Sequence, residues 1–236
     1  MSRFGDRFGA GTVLFVACSA CEPHLVAVQF EGESRAVSRI ERNAIQDIAD
    51  STARDVRKWL PALPTALTLV VRPGKEVISE TGETATTVLP SSVYWTVDPD
   101  RDVLSIIRNE LRPTLFHELH HLARETTVRR ETLMDSVVTE GMATAFERDF
   151  GKASPPWGLP PPDVMEWTRE LLLEPETASR ETWLFRHPDG RRWIGMKVGT
   201  FLVDRAMKTS GRTSAEMVAL PTEEILRLAG VMRGRD

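Results

Sequence analysis

The sequence is poor in cysteine, tyrosine and histidine. Its 236 residues include two cysteines, one tyrosine and five histidines. Two cysteines cannot build the disulfide framework of a small secreted scaffold. No uncharged apolar run reaches the ~18 residues that a membrane-spanning helix needs, so the sequence offers no candidate for such a helix.

An excess of positive charge is also missing. The 34 acidic and 30 basic residues give a formal net charge of −4 at pH 7. Proteins that bind nucleic acids or anionic membrane surfaces usually present a basic patch, and we expect neither partner here. The hydrophobic share of 41% is ordinary for a globular protein, and the length suits one domain.

The order of the predicted elements indicates an α+β fold. Strand patterns come first and helical patterns follow, which is typical of a domain with a small antiparallel or mixed sheet. Nothing after residue 22 suggests a domain boundary, so we predict a single domain over residues 23–236. The predicted strands are 25–30, 67–71 and 92–98, and the main predicted helices are 37–60, 103–125, 132–150, 163–173 and 194–207.

Residues 1–22 resemble a leader segment. Arg3 and Arg7 precede an uncharged stretch with an apolar centre, an order of features typical of export signals. Residues 15–18 also resemble a lipoprotein cleavage box, in which Cys18 would carry the lipid anchor. The alternative is a cytosolic protein that begins with a buried strand or a frayed end. Location in the cell envelope or in the cytoplasm therefore stays open.

Three of the five histidines lie within five residues of one another. His117, Glu118 and His121 form the pattern H-E-x-x-H inside a predicted helix. Residues four apart share one helix face, so both imidazoles can reach one zinc ion at ~2.0–2.1 Å. Glu118 lies beside them, where it can take a proton from a metal-activated water, as in metalloproteases. We therefore predict Glu118 as the catalytic base.

A third ligand is needed, because catalytic zinc sites use three protein ligands and keep one position open. Glu140 follows His121 after 18 residues and lies on the next predicted helix. The segment between the two helices is long enough for a reversal, and Gly141 permits a close approach. We therefore predict one zinc ion held by His117, His121 and Glu140.

The spacing of H-E-x-x-H, 18 residues and Glu resembles that of gluzincin aminopeptidases, whose metal ligands are those three residues. Longer segments resemble a bacterial family of predicted zinc-dependent proteases. The similarity runs from about residue 25 to residue 228 and implies a compact zincin-like fold, one zinc ion and peptide-bond hydrolysis. The matching segments are 114–121 (T-L-x-H-E-x-H-H), 132–135 (T-L-x-D), 140–143 (E-G-x-A) and the closing segment 214–226.

The chain departs from that family's pattern at Met196, where a tyrosine is expected. Zincins often use a tyrosine or histidine donor to stabilise the oxyanion of the transition state. The one tyrosine, Tyr94, lies in the third predicted strand instead. His187, Arg191 and Arg192 are candidates for the donor, and an ordinary loop role is the alternative for each of them.

Three further features are less specific. His120 follows His117 by three residues, so we expect it close to the ligands or in the cleft. Asp135 either orients a ligand histidine or only caps its own helix. Strand 92–98 precedes the helix with H-E-x-x-H, and as an edge strand it could pair with an extended peptide.

Together these features predict a zinc-dependent peptidase that acts on peptide or protein substrates. The alternative is a zinc-binding domain without proteolytic activity, serving as a scaffold or interaction module. Met196 favours that alternative, whereas the intact Glu118 disfavours it, because a structural site has no use for a general base. Hydrolysis of a non-peptide amide or ester is a third alternative.

Overall fold

The computed structural model of the protein describes residues 24–32 and 37–231. The predicted leader at residues 1–22, with Cys18, lies outside the described residues. A four-stranded mixed sheet is followed by a mainly helical part, so the predicted α+β class is confirmed. Within residues 24–32 and 37–231, no helix is long and apolar enough to cross a membrane.

The sheet has the strand order β1-β2-β4-β3. Strands β1, β2 and β4 run parallel, and β3 pairs antiparallel with β4. The three strands predicted from the sequence are thereby confirmed, and β3 is an addition. The bounds of the strands are β1 Val26–Phe30, β2 Leu67–Pro73, β3 Glu83–Val88 and β4 Ser92–Val97.

The edge of this sheet differs from the prediction. We expected segment 92–98 to be the edge strand, but β4 lies between β2 and β3, and the edge strand on that side is β3. Only Ala85 and Val88 are apolar in β3, so its sequence lacks the alternation that marks a strand. Its hydrogen bonds to β4 along the whole register stabilise it instead.

Helix α1 (Arg39–Arg57) connects β1 to β2 across one face of the sheet. It begins with a capping box, in which the Ser38 side chain accepts a hydrogen bond from the Glu41 backbone N–H and the Glu41 side chain accepts one from the Ser38 backbone N–H. Its buried face packs against the sheet because apolar residues recur at helical spacing. The buried apolar residues are Ile45, Ala49, Ala53 and Val56.

The remaining helices follow β4. The predicted helix 103–125 is continuous but contains a π-helical turn, and the predicted helix 132–150 ends in a second one. The helices are α2 (Val103–Ile106), continuing through the π turn Ile107–Leu111 into α3 (Arg112–Glu125), α4 (Leu133–Phe146) with the π turn Glu147–Gly151, α5 (Val164–Leu173), α6 (Arg180–Leu184), α7 (Ile194–Ser210) and α8 (Thr222–Leu228).

Two hydrophobic cores flank a cleft. One core lies between the sheet, α1 and the apolar side of α3. The other is formed by α4, α7 and the shorter helices around them. Helix α3 therefore belongs to the sheet side, whereas α4 belongs to the helical side, and the cleft opens where they meet. Two cores in contact fit the single domain predicted over residues 23–236, which stays a prediction.

Helices α4 and α7 touch through their backbones. A Cβ atom on Gly199 would lie 2.0 Å from the carbonyl oxygen of Val137, and one on Gly141 would lie 2.1 Å from the carbonyl carbon of Gly199. Neither obstacle is a side chain that can rotate away. Glycine is therefore required at both crossing positions.

We predict that Gly199→Ala destabilises the protein by about 3 kcal/mol or more, because α7 would have to move away from α4. Chemical denaturation monitored by circular dichroism measures the change. The control is Gly151→Ala, whose new Cβ would meet only the Phe116 side chain, at 3.2 Å. Equal stability losses in the two variants would contradict the backbone contact.

Candidate active site

Helix α3 presents different side chains to its two sides. Leu115, Leu119 and Leu122 belong to the core on the sheet side. His117 and His121 line the cleft on the opposite side, as their helical phase predicted. All three side chains of the H-E-x-x-H pattern are buried, with His117 8%, Glu118 7% and His121 4% exposed.

Glu140 meets the two histidines across the cleft. Its Oε2 atom lies 3.2 Å from Nε2 of His117 and 3.4 Å from Nε2 of His121. The candidate ligand atoms of these three residues all lie within 4.8 Å of one another. The structure thus brings together the three residues that the spacing in the sequence selected as metal ligands.

The donor set fits zinc in both chemistry and spacing. Two imidazole nitrogens and one carboxylate oxygen are ligands that catalytic zinc commonly uses. Two ligand atoms on a tetrahedral zinc ion are about 3.4 Å apart, given metal–ligand distances of ~2.0–2.1 Å. The two distances from Glu140 Oε2 are close to that value. The residues present are therefore able to hold a zinc ion.

Arg130 restricts how Glu140 can act. Its Nη1 atom donates to Oε1 of Glu140 at 2.9 Å, which leaves Oε2 directed at the histidines. The same guanidinium group pairs with Glu125 through Nη2. Burial raises the pKa of Glu140, but His121, His117 and Arg130 more than offset this and hold it well below its usual range. Glu140 is therefore an ionised carboxylate with one oxygen left for a metal.

Glu118 has the environment of a proton acceptor. Burial raises the pKa of its carboxyl group, and the Thr87 hydroxyl limits the rise by donating to Oε2 at 2.7 Å. The same hydroxyl lies 2.9 Å from the backbone oxygen of Glu118, so its one hydrogen is shared between two oxygens of this residue and strand β3 contacts both its side chain and its backbone. A carboxylate with a raised pKa accepts a proton more readily than an exposed one.

Glu147 completes the surroundings of His117, and sequence reasoning missed it. Its Oε2 atom lies 3.2 Å from Nδ1 of His117, and its side chain is 5% exposed. Burial lowers the pKa of His117, but hydrogen bonds with Glu140 and Glu147 outweigh this and raise it to about 10. A signal was present in the sequence, since Glu147 follows Glu140 by two helical turns and shares its face.

We predict that Glu147→Gln weakens zinc binding by about 10- to 100-fold, because a carboxylate on the second imidazole nitrogen orients the ring and strengthens its donor atom. Competition with a chromophoric chelator measures the affinity. Asp149→Asn is the control, because Asp149 is on the same π turn but pairs with Arg148. Unchanged affinity in Glu147→Gln would contradict this role.

The cleft has a volume of about 620 Å³ and an apolar wall opposite α3. Met196 belongs to this wall and is 7% exposed. Its thioether cannot donate a hydrogen bond. Met196, the residue that departs from the family pattern, thus lines the cleft itself. The apolar residues that line the cleft are Ile78, Leu89, Trp157, Leu184, Phe185 and Met196, together with Ala85 and Val128.

The predicted oxyanion donors are not brought to this cleft. His187, Arg191 and Arg192 lie in or next to the loop between α6 and α7, and none of the three lines the cleft. Each contacts a carboxylate outside the cleft, which explains why these side chains do not turn inward. The pairs are His187 with Asp189, Arg191 with Glu170 and Asp189, and Arg192 with Glu80.

His120 and Asp135 also lie away from the cleft. His120 is fully buried, and its ring packs against Phe146 with 5.3 Å between ring centroids. Asp135 accepts hydrogen bonds from the Thr132 backbone and hydroxyl, both at 2.8 Å, and so caps α4. Of its two predicted roles, the structure supports capping, and it is Glu147 that contacts the second ring nitrogen, Nδ1, of His117.

Glu83 is a buried carboxyl group at the sheet side of the cleft. It is 2% exposed and accepts a hydrogen bond of 2.7 Å from the indole nitrogen of Trp95. Burial raises its pKa from 4.5 to about 7, although hydrogen bonds from Trp95 and Thr114 oppose the rise. The folded protein therefore favours the protonated form of Glu83 below about pH 7.

We predict a stability that depends on pH through Glu83. Its pKa is about 7 in the folded protein against 4.5 ordinarily, so folding takes up a proton between these values. The free energy of unfolding then falls by ~3 kcal/mol as pH rises through this window. Glu83→Gln removes the effect, so its stability relative to the unmodified protein should increase from pH 5 to pH 8.

Urea unfolding of metal-free protein at several pH values tests this prediction, since a bound cation would itself lower the pKa of Glu83. The exposed variant Glu76→Gln is the control for removal of one acidic charge. If the free energy of unfolding changed with pH in the same way in Glu83→Gln and in the unmodified protein, the raised pKa of Glu83 would be contradicted.

The fold and the site define a mixed α+β protein with a buried candidate metal site of two histidines and one glutamate. Residues 45–227, which include that site, match a family described as predicted Zn-dependent protease (DUF2268), and the chain belongs to this family. The relationship inferred from the sequence is thus confirmed. The family description suggests zinc as the metal and peptides as substrates. No curated protein matches the chain.

Proposed function

We propose that the protein is a zinc-dependent peptidase that hydrolyses peptide bonds. The observation that carries this proposal is the convergence of His117, His121 and Glu140 next to Glu118 in an open cleft. A purely structural zinc site is closed by four protein ligands. Here three candidate ligands face a cleft. The carboxylate of Glu118 lies beside them and makes no hydrogen bond with any of the three.

The chemistry assigns separate roles to these residues. His117, His121 and Glu140 would hold the zinc ion, which when bound polarises a carbonyl group and makes water more acidic. Glu118 takes the proton of the attacking water and returns it to the leaving amine. Thr87 keeps the Glu118 carboxylate in place by its hydrogen bond to Oε2. Glu147 keeps the His117 ring in place through Nδ1.

Strand β3 is the surface on which we propose that the substrate lies. It is an edge strand, and five of its six residues line the cleft next to Glu118. An extended peptide can add to such an edge by backbone hydrogen bonds, which fix its position without demanding particular side chains. This role replaces the one expected for segment 92–98.

We predict that Glu118→Gln retains zinc and loses peptidase activity by at least about a hundredfold, because glutamine cannot take the proton. Atomic absorption on purified protein measures the metal, and cleavage of a quenched fluorescent peptide library measures activity. His117→Ala should lose both zinc and activity. Full activity in Glu118→Gln would exclude this mechanism, and unchanged zinc content in His117→Ala would exclude the ligand assignment.

The second candidate is a zinc-binding domain without proteolytic activity, and Met196 is the observation that favours it. A methionine in the cleft cannot supply the hydrogen bond that an oxyanion needs. The same measurements separate the two candidates. A protein that binds one zinc ion per chain through His117 and cleaves no member of the peptide library would support the second one.

A further inference from the structure

One end of the cleft carries positive charge. Arg129, Arg130 and Arg180 line the cleft at the turn between α3 and α4, where α6 also begins. The acidic residues that line the cleft belong mainly to the other parts of its wall, around the histidines and on β3. The charges of the cleft are therefore separated, with a basic end next to the candidate metal site.

The three arginines are bound in different ways. Arg130 is neutralised, because it pairs with both Glu125 and Glu140. Arg180 donates from Nη2 to the backbone oxygens of Arg130 and Glu131, at 2.8 and 3.0 Å. Those oxygens position the guanidinium group but do not neutralise its charge.

Arg129 is the least constrained of the three. Its side chain is exposed, and it makes no hydrogen bond or ion pair with any residue in the described part of the chain. Within the same part, Arg180 has no carboxylate partner either. Two positive charges that line the cleft are thus available to a ligand.

We propose that Arg129 and Arg180 form a subsite that binds a carboxylate group of the substrate. The guanidinium group of Arg129 can present paired N–H donors in a plane that matches the two oxygens of a carboxylate. Arg180 adds its positive charge and its Nε and Nη1 donors, because Nη2 is occupied by the two backbone oxygens. Arg180 is preorganised by its backbone contacts, and Arg129 is free to close on the ligand. The carboxylate belongs either to the C-terminus of a short peptide or to an aspartate or glutamate side chain.

The position of this subsite relates it to the chemistry. Arg130 hydrogen-bonds Glu140, and Arg180 hydrogen-bonds the backbone of Arg130. Arg130 thus connects the subsite to the candidate metal ligand Glu140. The subsite lies on the helical side of the cleft. This inference rests on the proposed peptidase function in one respect, namely that the ligand is a peptide.

Binding tests the subsite without requiring turnover. The protein is Glu118→Gln, and fluorescence anisotropy follows the binding of labelled pentapeptides that share an apolar sequence. One peptide has a free C-terminal carboxylate, one a C-terminal amide, and one an amide together with an internal glutamate. We expect about tenfold tighter binding of one carboxylate-bearing peptide than of the neutral amide, in keeping with a partly exposed pair of ionic contacts.

Removal of the two charges should abolish this preference. In Arg129→Gln combined with Arg180→Gln, the ratio of affinities should fall toward one. Arg108→Gln combined with Arg169→Gln is the control, because both arginines are exposed, lie outside the cleft and change the net charge equally. The single variant Arg129→Gln should lose part of the preference, and it leaves the contacts of Arg180 with the turn intact.

The outcomes are separable from those of the proposed function. Preference for the free C-terminus identifies that group as the ligand, whereas preference for the internal glutamate identifies a side chain. Equal affinities for all three peptides, a preference that survives the double variant, or no detectable binding would overturn the subsite. If the unmodified protein cleaves no peptide but the preference is present, the peptidase proposal fails and the subsite stands.

Discussion

The backbone contact between Gly141 and Gly199 determines where the functional groups of the helical half can lie. It fixes α4 against α7, and every residue of α4 except Asp135 is buried. A helix enclosed in this way cannot rotate or slide without opening both cores. Glu140 precedes Gly141 directly and Glu147 lies two turns further on, so both carboxylates are directed at α3 by the same packing. The site is thus a consequence of how closely two helices approach.

This packing has an electrostatic consequence. Glu83, Glu118, Glu140 and Glu147 are all buried around the cleft, and Arg130 pairs with Glu140. Burying charge without compensation is costly, and proteins respond by protonating the group or by binding a counter-charge. Burial raises the pKa values of Glu83, Glu118 and Glu147, whereas that of Glu140 is lowered by its positive neighbours. A divalent cation beside Glu140 would relieve the same imbalance.

Local pattern predicted the parts of the site that lie on regular helices. The H-E-x-x-H residues share a face because of helical periodicity, and the distance to Glu140 along the chain required only one reversal between two helices. Contacts between distant segments were not predictable in this way. The threonine-rich β3 becomes a strand only through pairing with β4, and the arginines before α7 are held outward by carboxylates from other segments. Their positions depend on partners that periodicity does not reveal.

The cleft therefore joins two halves that contribute different functions. The sheet half supports α3 and supplies β3, so it carries the histidines, Glu118 and the Thr87 hydroxyl that holds it. The helical half supplies part of the apolar lining, including Met196, and the basic end with Arg180. From the helical half, Glu140 and Glu147 reach His117. Substitutions on the exposed surfaces of α6 can consequently change what binds in the cleft without displacing α3, whereas substitutions at the α4–α7 crossing disturb the candidate ligands directly.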